Sequence, residues 1–406
     1  MWLHAGDRPG RLPGILVRPA LRRLVLFALL VFAAGPSHAD TFSVDAEFAL
    51  LHDFDTGATL YEKSADAPMP PTAMAKLLTA EIVFARLKAG KLSLDDLFDV
   101  SEKAWREGGA PSRGAAMFLS VKSRVRVEDL LRGLIIQSGN DAAMVLAEGL
   151  AGSEEKFAEL MNARAAELGM MHSHFTNARG KPDPDSFTTA RDMAILADHV
   201  LRDYPDDLHY FSEKEFTWNK IRQLNRNPAI AMDSGVDGLK AGDIGDGGYA
   251  ILATAVQDGQ RLIVVLNGLK TAGDRLDETR KMFAYGFHAF DRRILFEAGA
   301  TVGDASVYGG LSGAVPLVSD KPVILFVPRG DSDRIVAKLT YAGPLAAPVA
   351  AGRDAGRLKV WRGDMLAIDA PLKTGGAVPL AGLAKRAFDA SVELAGGAVR
   401  RALSQL

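Results

Sequence analysis

Pro71-Thr72-Ala73-Met74-Ala75-Lys76-Leu77-Leu78-Thr79 follows a proline-rich break at Pro68, Pro70 and Pro71. It opens a helix from about Thr72, with Leu77, Leu78, Ile82, Val83 and Phe84 supplying the buried side. Residues three apart share a helix face, so position 73 stands beside Lys76. The first turn of a helix also carries N–H groups without intrahelical partners, which suit an oxyanion. A lysine made neutral by burial and a nearby cation can accept a proton from a hydroxyl at such a position. Ala73 supplies no hydroxyl. A lysine at this place in a helix is ordinarily a solvated side chain, and only its company gives Lys76 a second reading.

Two further clusters provide that company. Ser138-Gly139-Asn140 stands at the start of a helix, just before Asp141-Ala142-Ala143. It reads either as a helix cap or as a proton relay through Ser138 with Asn140 donating to a substrate amide. Lys240-Ala241-Gly242 follows Val236-Asp237-Gly238-Leu239. On a strand edging a cleft the Lys240 ammonium could hold a carboxylate, and Gly242 would let backbone approach a ligand. The other reading of Lys240 is an exposed strand lysine beside a turn.

The organisation around these clusters predicts an α+β domain, with helices packed on an antiparallel sheet. A hairpin is expected from Phe48 to Tyr61, turning at Asp55-Thr56-Gly57. Helices are expected over Val127–Gln137, from Asp141, after a Ser153 cap with Glu154 and Glu155 in the first turn, and over Thr189–Leu201. Strands at Tyr249–Val256 and Arg261–Leu266 join at Asp258-Gly259, and a helix spans Asp274–Phe290. From 291 to 375 short apolar segments between Gly, Pro and Asp predict a small all-β domain, with Val323–Val327 and Ile335–Tyr341 its clearest strands. In the tail, 376–406, Leu380, Leu383, Phe388, Val392, Ala395, Val399 and Leu403 make one apolar helix face flanked by Lys385, Arg386, Arg400 and Arg401. Such a helix could lie on an anionic membrane surface or dock on protein; Gly396-Gly397 weakens it by about 1 kcal/mol per glycine.

With 406 residues, 48% hydrophobic and 24% charged, the chain is ordinary globular material for two domains. A net charge of −2 gives no footprint for nucleic acid, and the absence of cysteine excludes disulfides and thiolate metal sites. The eight histidines contain no His-Glu-x-x-His, and His172-Ser173-His174 reads as surface loop, so no metal site is expected. Gly247-Gly248 is not set in a phosphate-binding loop. Arg18, Arg22 and Arg23, the apolar run Leu24–Ala34 and Ser37-His38-Ala39 have the layout of a secretory signal cleaved after Ala39. The run is about half the roughly 20 residues that span a bilayer, and an uncleaved short anchor is the alternative.

In order, interval and context the three clusters resemble the Ser-x-x-Lys, Ser-x-Asn and Lys-Thr-Gly elements of penicillin-binding serine enzymes. The region from about Phe48 to Phe290, carried as domain 40–290, is similar to the low-molecular-mass D-alanyl-D-alanine carboxypeptidases, and Asp55-Thr56-Gly57, Pro70-Pro71, Gln137–Asp141 and Val236–Lys240 add to the likeness. The resemblance extends into the β domain and the tail, which in that family rests on the outer face of the membrane. It implies an exported, periplasmic protein, peripheral to the inner membrane, that acts on peptidoglycan stem peptides ending in D-Ala-D-Ala without metal or organic cofactor. In the family a serine attacks the D-Ala-D-Ala carbonyl, an acyl-enzyme forms, and penicillins trap the same serine. Carried over, Lys76 is the base, Ser138 and Asn140 complete the relay and hold substrate, and Lys240, with Gly242 and Asp243 beside it, meets the terminal carboxylate. The N–H groups of 73 and 243 become the oxyanion donors.

Three departures converge on that cleft. Ala73 cannot form an acyl-enzyme, so β-lactams would bind non-covalently if at all. Ala241 removes a hydroxyl worth about 1.5–3 kcal/mol as a hydrogen bond to a charge. Asp243 sets a carboxylate where an anionic end should approach, a repulsion of roughly 4 kcal/mol at about 4 Å before screening. Thr72 is a substitute nucleophile by sequence distance, although its position favours a capping role. The functions open on this reading are a serine carboxypeptidase, active or formerly so, and a non-catalytic peptidoglycan-binding or scaffold relative. A β-lactamase suffers from the same missing serine and from the extra β domain.

Overall fold

The computed structural model describes residues 42–391 apart from 233–234, 244–247 and 332. The expected secretory segment and the tail beyond residue 391 lie outside the described residues. Among those described, no helix is long and apolar enough to cross a membrane.

The chain begins with the hairpin β1 (Phe48–Asp53) and β2 (Thr59–Lys63). The helix α1 (Lys76–Lys88) follows, and then the two-stranded ribbon β3 (Leu97–Asp99) and β4 (Arg124–Arg126), with α2 (Glu102–Gly108) between its strands. Next come α3 (Val127–Ile135), α4 (Asn140–Ala151), α5 (Glu154–Leu168), α6 (Ala190–Asp203) and the one-turn α7 (His209–Ser212). Ser153 and Thr189 accept backbone N–H bonds at the starts of α5 and α6, satisfying donors that a helix cannot pair internally. A second ribbon, β5 (Glu215–Trp218) and β6 (Ile221–Leu224), precedes β7 (Val236–Asp243), β8 (Tyr249–Gln257), β9 (Gln260–Leu269) and α8 (Ala272–His288).

The main sheet runs β2-β1-β9-β8-β7, with every neighbour antiparallel. Its inner strands are near-continuous apolar runs because both faces are covered. Leu50, Leu252, Ile263 and Val265 join a core with Leu77, Leu78 and Phe84 of α1 and Leu196 and Ala197 of α6, while α8 lies against β8 and β9. The expected antiparallel sheet with helices packed on it is what the chain forms.

Two boundaries in the C-terminal part of the chain differ from the sequence reading. The closing helix ends at His288, and Phe290 begins β10 (Phe290–Phe296). Phe290 pairs with Pro328 and meets the Phe326 ring edge-on at 6.3 Å, contacts that a helix continuing through 290 would forfeit. The β region then folds as β11 (Thr301–Tyr308), β12 (Ala314–Val318), β13 (Val323–Pro328), β14 (Ile335–Tyr341), β15 (Leu345–Ala346), β16 (Asp354–Arg362) and β17 (Met365–Thr374). Six strands pair in the order β14-β16-β17-β12-β11-β15, while β10 pairs with β13, around a core that includes Leu317, Leu325, Leu358, Val360 and Leu372. In the tail, Leu380 bridges to Gly310 and so precedes the helical stretch at 383–391 instead of lying on its face.

Candidate functional site

The segment around Ala73 is not yet an α-helix. Thr72–Ala75 is a 3-10 turn, and Lys76 is the first residue of α1, its N–H bonded to the Ala73 carbonyl. Thr72 sits at φ 54°, an uncommon conformation for a β-branched residue, and two glycines accommodate it. Gly180, itself at φ +68°, lies so close that a Cβ there would fall 1.7 Å from the Thr72 carbonyl oxygen. A Cβ on Gly242 would fall 2.3 Å from Thr72 Oγ1 and 3.0 Å from the Ala73 backbone nitrogen. The first and third clusters are therefore in contact, backbone against backbone. Thr72 is buried, with its Oγ1 accepting from Met74 N at 3.4 Å, whereas Ala73 is partly exposed.

Lys76 is not the solvated lysine that its sequence position ordinarily implies. It is 3% exposed, and its Nζ donates to the Arg179 carbonyl at 2.6 Å. Burial, followed by the Arg179 and Arg226 charges, brings its amine down to about 7, while Asp243 and Glu154 act the other way. Arg179 is fixed by a two-point ion pair to Glu154 at 2.9 Å and a contact from Nη1 to Glu107 O at 3.3 Å. That pair is almost fully buried, so the carbonyl that holds Lys76 is rigidly placed.

Lys240 lies in β7 opposite Leu252 and is 2% exposed, so the exposed-lysine reading is corrected. Its Nζ donates to Ile135 O at 3.0 Å, at the end of α3. Burial first, then Lys76 and Arg226, holds its ammonium well below the ordinary lysine range. The Lys76 charge is among the causes that lower Lys240, after burial. Ala241 is buried beside Lys240, and Asp243, at the end of the strand, is exposed.

The middle cluster is stitched to the 115–119 segment. Asp141 is buried and accepts from Met117 N at 2.9 Å and Leu119 N at 3.1 Å, while Asn140 N donates to Ala115 O at 2.7 Å. Burial raises the Asp141 pKa, with the N–H bonds of Met117, Leu119 and Ala142 opposing it. Ser138 is buried at φ 59°, and Gly139, not Ser138, stands at the N-cap of α4 without a side-chain capping bond. The capping reading of the triplet does not hold, because Asn140 is already helical.

Several residues that shape the cleft carried no signal in the sequence. Glu154 reads as a first-turn acid of α5, yet it pairs with Arg179. Arg275 of α8 donates to Gly242 O at 3.1 Å and lies over the Tyr249 ring at 5.2 Å; burial lowers its pKa and Asp243 counters this. Arg226 reaches both lysines electrostatically although its own side chain is exposed. His172 and His174 are exposed, as expected, and no group of His, Asp and Glu able to hold a metal occurs among the described residues.

Comparison with known proteins identifies the family. Residues 34–271 match the D-alanyl-D-alanine carboxypeptidase family model, and residues 290–380 match that of the penicillin-binding protein 5 C-terminal domain. The chain is 38% identical over 338 residues to D-alanyl-D-alanine carboxypeptidase DacC of Escherichia coli, covering 82% of this chain and 84% of the relative. It is 35% identical over 323 residues to DacA of the same organism, covering 76% and 80%. Penicillin-binding protein 5 from Haemophilus influenzae superposes with a TM-score of 0.75 at 32% identity, covering 84% of this chain and 99% of that one. DacD from Francisella tularensis gives a TM-score of 0.67 at 26% identity, covering 84% and 95%. With more than half its length matched by the family model and relatives above 30% identity covered over more than two thirds, the chain belongs to the D-alanyl-D-alanine carboxypeptidase family of low-molecular-mass penicillin-binding proteins.

Proposed function

We propose that this chain is a non-covalent receptor for peptidoglycan stem peptides, using the family's cleft without an acyl-enzyme. The family acts on stem peptides ending in D-Ala-D-Ala and binds β-lactams. The observation that carries the reading is Ala73, partly exposed beside a buried lysine whose amine is near neutral, with no atom able to attack a carbonyl. Thr72 does not replace it: that side chain is buried against Gly242, with its hydroxyl turned to Met74 N. Ser138, Asn140 and Lys240 remain in the cleft as groups that would hold the peptide backbone.

The test is intact mass after incubation with a labelled penicillin, alongside stem-peptide binding by calorimetry. No covalent adduct with measurable peptide binding is the expected pair of results. An adduct of the mass of the drug would overturn the reading and point to a nucleophile other than position 73.

The same reading places the protein outside the cytoplasm, in the periplasm, with its tail on the outer face of the inner membrane. Asp389 accepts from Gly309 N at 3.1 Å and so turns one side of the 383–391 helix onto the β region. Leu383 and Phe388 are 82% and 68% exposed, Arg386 is exposed between them, and Lys385 pairs with Asp389 at 3.2 Å. Exposed apolar side chains with an exposed cation between them suit an anionic lipid surface. Co-sedimentation with phosphatidylglycerol vesicles, lost in Leu383→Glu/Phe388→Glu, is expected; equal sedimentation of the two proteins would overturn the placement.

A further inference from the structure

The β16–β17 hairpin and its neighbour β14 present a face that the cleft does not use. Leu358, Val360 and Leu372 belong to the core of the β region, so the alternate residues Arg357, Lys359 and Trp361 of β16 point outward. The register sets a partner on either side of each. Trp361 lies between Val336 of β14 and Leu366 of β17, Lys359 between Lys338 and Asp369, and Arg357 between Thr340 and Pro371. Leu366 and its neighbour Met365 are exposed, and Trp361 is partly so. Lys338 Nζ stands 5.2 Å from the centre of the Trp361 ring.

Three cations on this face, Arg357, Lys359 and Lys338, meet one carboxylate, an excess of two positive charges. Asp369 pairs with Arg357 at 2.6 Å and with Lys359 at 3.7 Å. Lys338 takes part in no ion pair among the described residues. Lys338 and Lys359 stand directly opposite each other across the ladder, a like-charge pairing that costs stability and that an anion lying over it relieves. Successive outward residues of β16 are about 6.7 Å apart, so a linear ligand along the strand passes the ring and then two cations. The flat apolar face of a tryptophan suits the C–H face of a sugar ring, and lysine ammoniums suit carboxylates. An acidic peptide would use the cations and leave the ring without a flat partner. A bilayer is a poorer match, because β17 runs about 30 Å from Met365 to Thr374 and the tail departs from the Thr374 end, opposite to Trp361.

We propose that the outward face of β14, β16 and β17 binds a carboxylate-bearing glycan strand, with a sugar ring stacked on Trp361 and carboxylates held by Lys338 and Lys359. The site uses no residue of the cleft, so it goes beyond the stem-peptide reading and does not rest on it. Two sources share this chemistry. One is peptidoglycan glycan freed of its stems, whose muramic residues carry lactyl carboxylates, and the other is a uronic-acid polysaccharide.

The experiment titrates the full-length chain by calorimetry at low salt with four probes. Stem-free peptidoglycan glycan and oligogalacturonate carry both rings and carboxylates, chitotetraose carries rings alone, and poly-L-glutamate carries carboxylates alone. One of the first two is expected to bind about tenfold more tightly than either of the last two, and the tighter of that pair identifies the source. Binding should weaken as salt screens the contact. Trp361→Ala and Lys338→Gln/Lys359→Gln should each lower affinity by about tenfold, while Trp361→Phe stays within about threefold of the unmodified chain. Circular dichroism checks the folding of each variant, and the double lysine variant carries the test if Trp361→Ala does not fold. Folded variants that bind as the unmodified chain does would overturn the proposal, as would failure of both carboxylated glycans to bind. Chitotetraose binding equally well would remove the cations from the account, and poly-L-glutamate binding equally well would replace the glycan by an acidic polypeptide; either result overturns it. No probe carries a stem peptide, so the outcome leaves the reading of the cleft to its own test.

Discussion

Ala73→Ser is the substitution that questions the cleft most directly. Position 73 is partly exposed, is already followed by a lysine on the next turn, and needs only one added oxygen. If the cleft is otherwise competent, the new hydroxyl should be acylated by penicillin with Lys76 as base. The rate should then follow the neutral fraction of Lys76. With an amine at about 7, that fraction is roughly one tenth at pH 6 and nine tenths at pH 8, a rise of about tenfold that levels off above pH 8. Adding Ala241→Thr should speed acylation further, by roughly tenfold to 150-fold for a charge-assisted hydrogen bond of about 1.5–3 kcal/mol. The assay is time-resolved intact mass with a labelled penicillin from pH 6 to pH 9, with circular dichroism as the check on folding. A folded Ala73→Ser/Ala241→Thr protein that never gains the mass of the drug would refute the claim that only the nucleophile and one hydroxyl separate this cleft from a working one. Acylation at a rate independent of pH between 6 and 8 would refute the assignment of Lys76.

Three further outcomes are expected. Gly180→Ala should destabilise the chain by more than about 2 kcal/mol, combining an alanine at positive φ with a Cβ driven into the Thr72 carbonyl; urea unfolding measures it, and a loss below about 1 kcal/mol would mean that the turn yields easily. Glu154→Gln leaves Arg179 buried without its charge partner and should cost about 3–5 kcal/mol, read by the same method, and it should also weaken stem-peptide binding by loosening the carbonyl that holds Lys76. Lys76 has a folded pKa below its unfolded value, so its contribution to stability is greatest above the unfolded pKa and is lost as pH falls toward about 7; relative to Lys76→Met, the unmodified chain should gain about 2 kcal/mol between pH 7 and pH 9, and a constant difference across that range would contradict the buried, near-neutral amine.

How far the sequence could be read depended on how local each determinant was. The β8–β9 hairpin was legible because Asp258-Gly259 sits between two apolar runs, and β13 and β14 because Gly, Pro and Asp bound them closely. The end of α8 was misplaced because helical periodicity continues through Phe290, and only the partner strand β13, more than thirty residues on, claims that ring. Leu380 fits the tail's apolar spacing equally well, yet its backbone is taken by Gly310. In the cleft, residue types were legible and environments were not. The burial of Lys76 depends on a carbonyl 103 positions away, and the placement of that carbonyl depends on an ion pair that spans a further 25.

That separation bears on what the missing serine means. Lys76 is held by the Arg179 carbonyl, which the Arg179–Glu154 pair places, and neither interaction involves a hydroxyl at position 73. Losing a hydroxyl there removes the chemistry without loosening the lysine. The contact between Gly242 and the Thr72–Ala73 backbone is likewise independent of the residue 73 side chain. Asp243 is different in kind. It is exposed, it acts on Lys76 and Arg275 alike, and it adds a negative charge at the end of the strand. Ala73 therefore bears on covalent chemistry and Asp243 on the charge at the edge of the cleft, so the two positions can be substituted and measured separately.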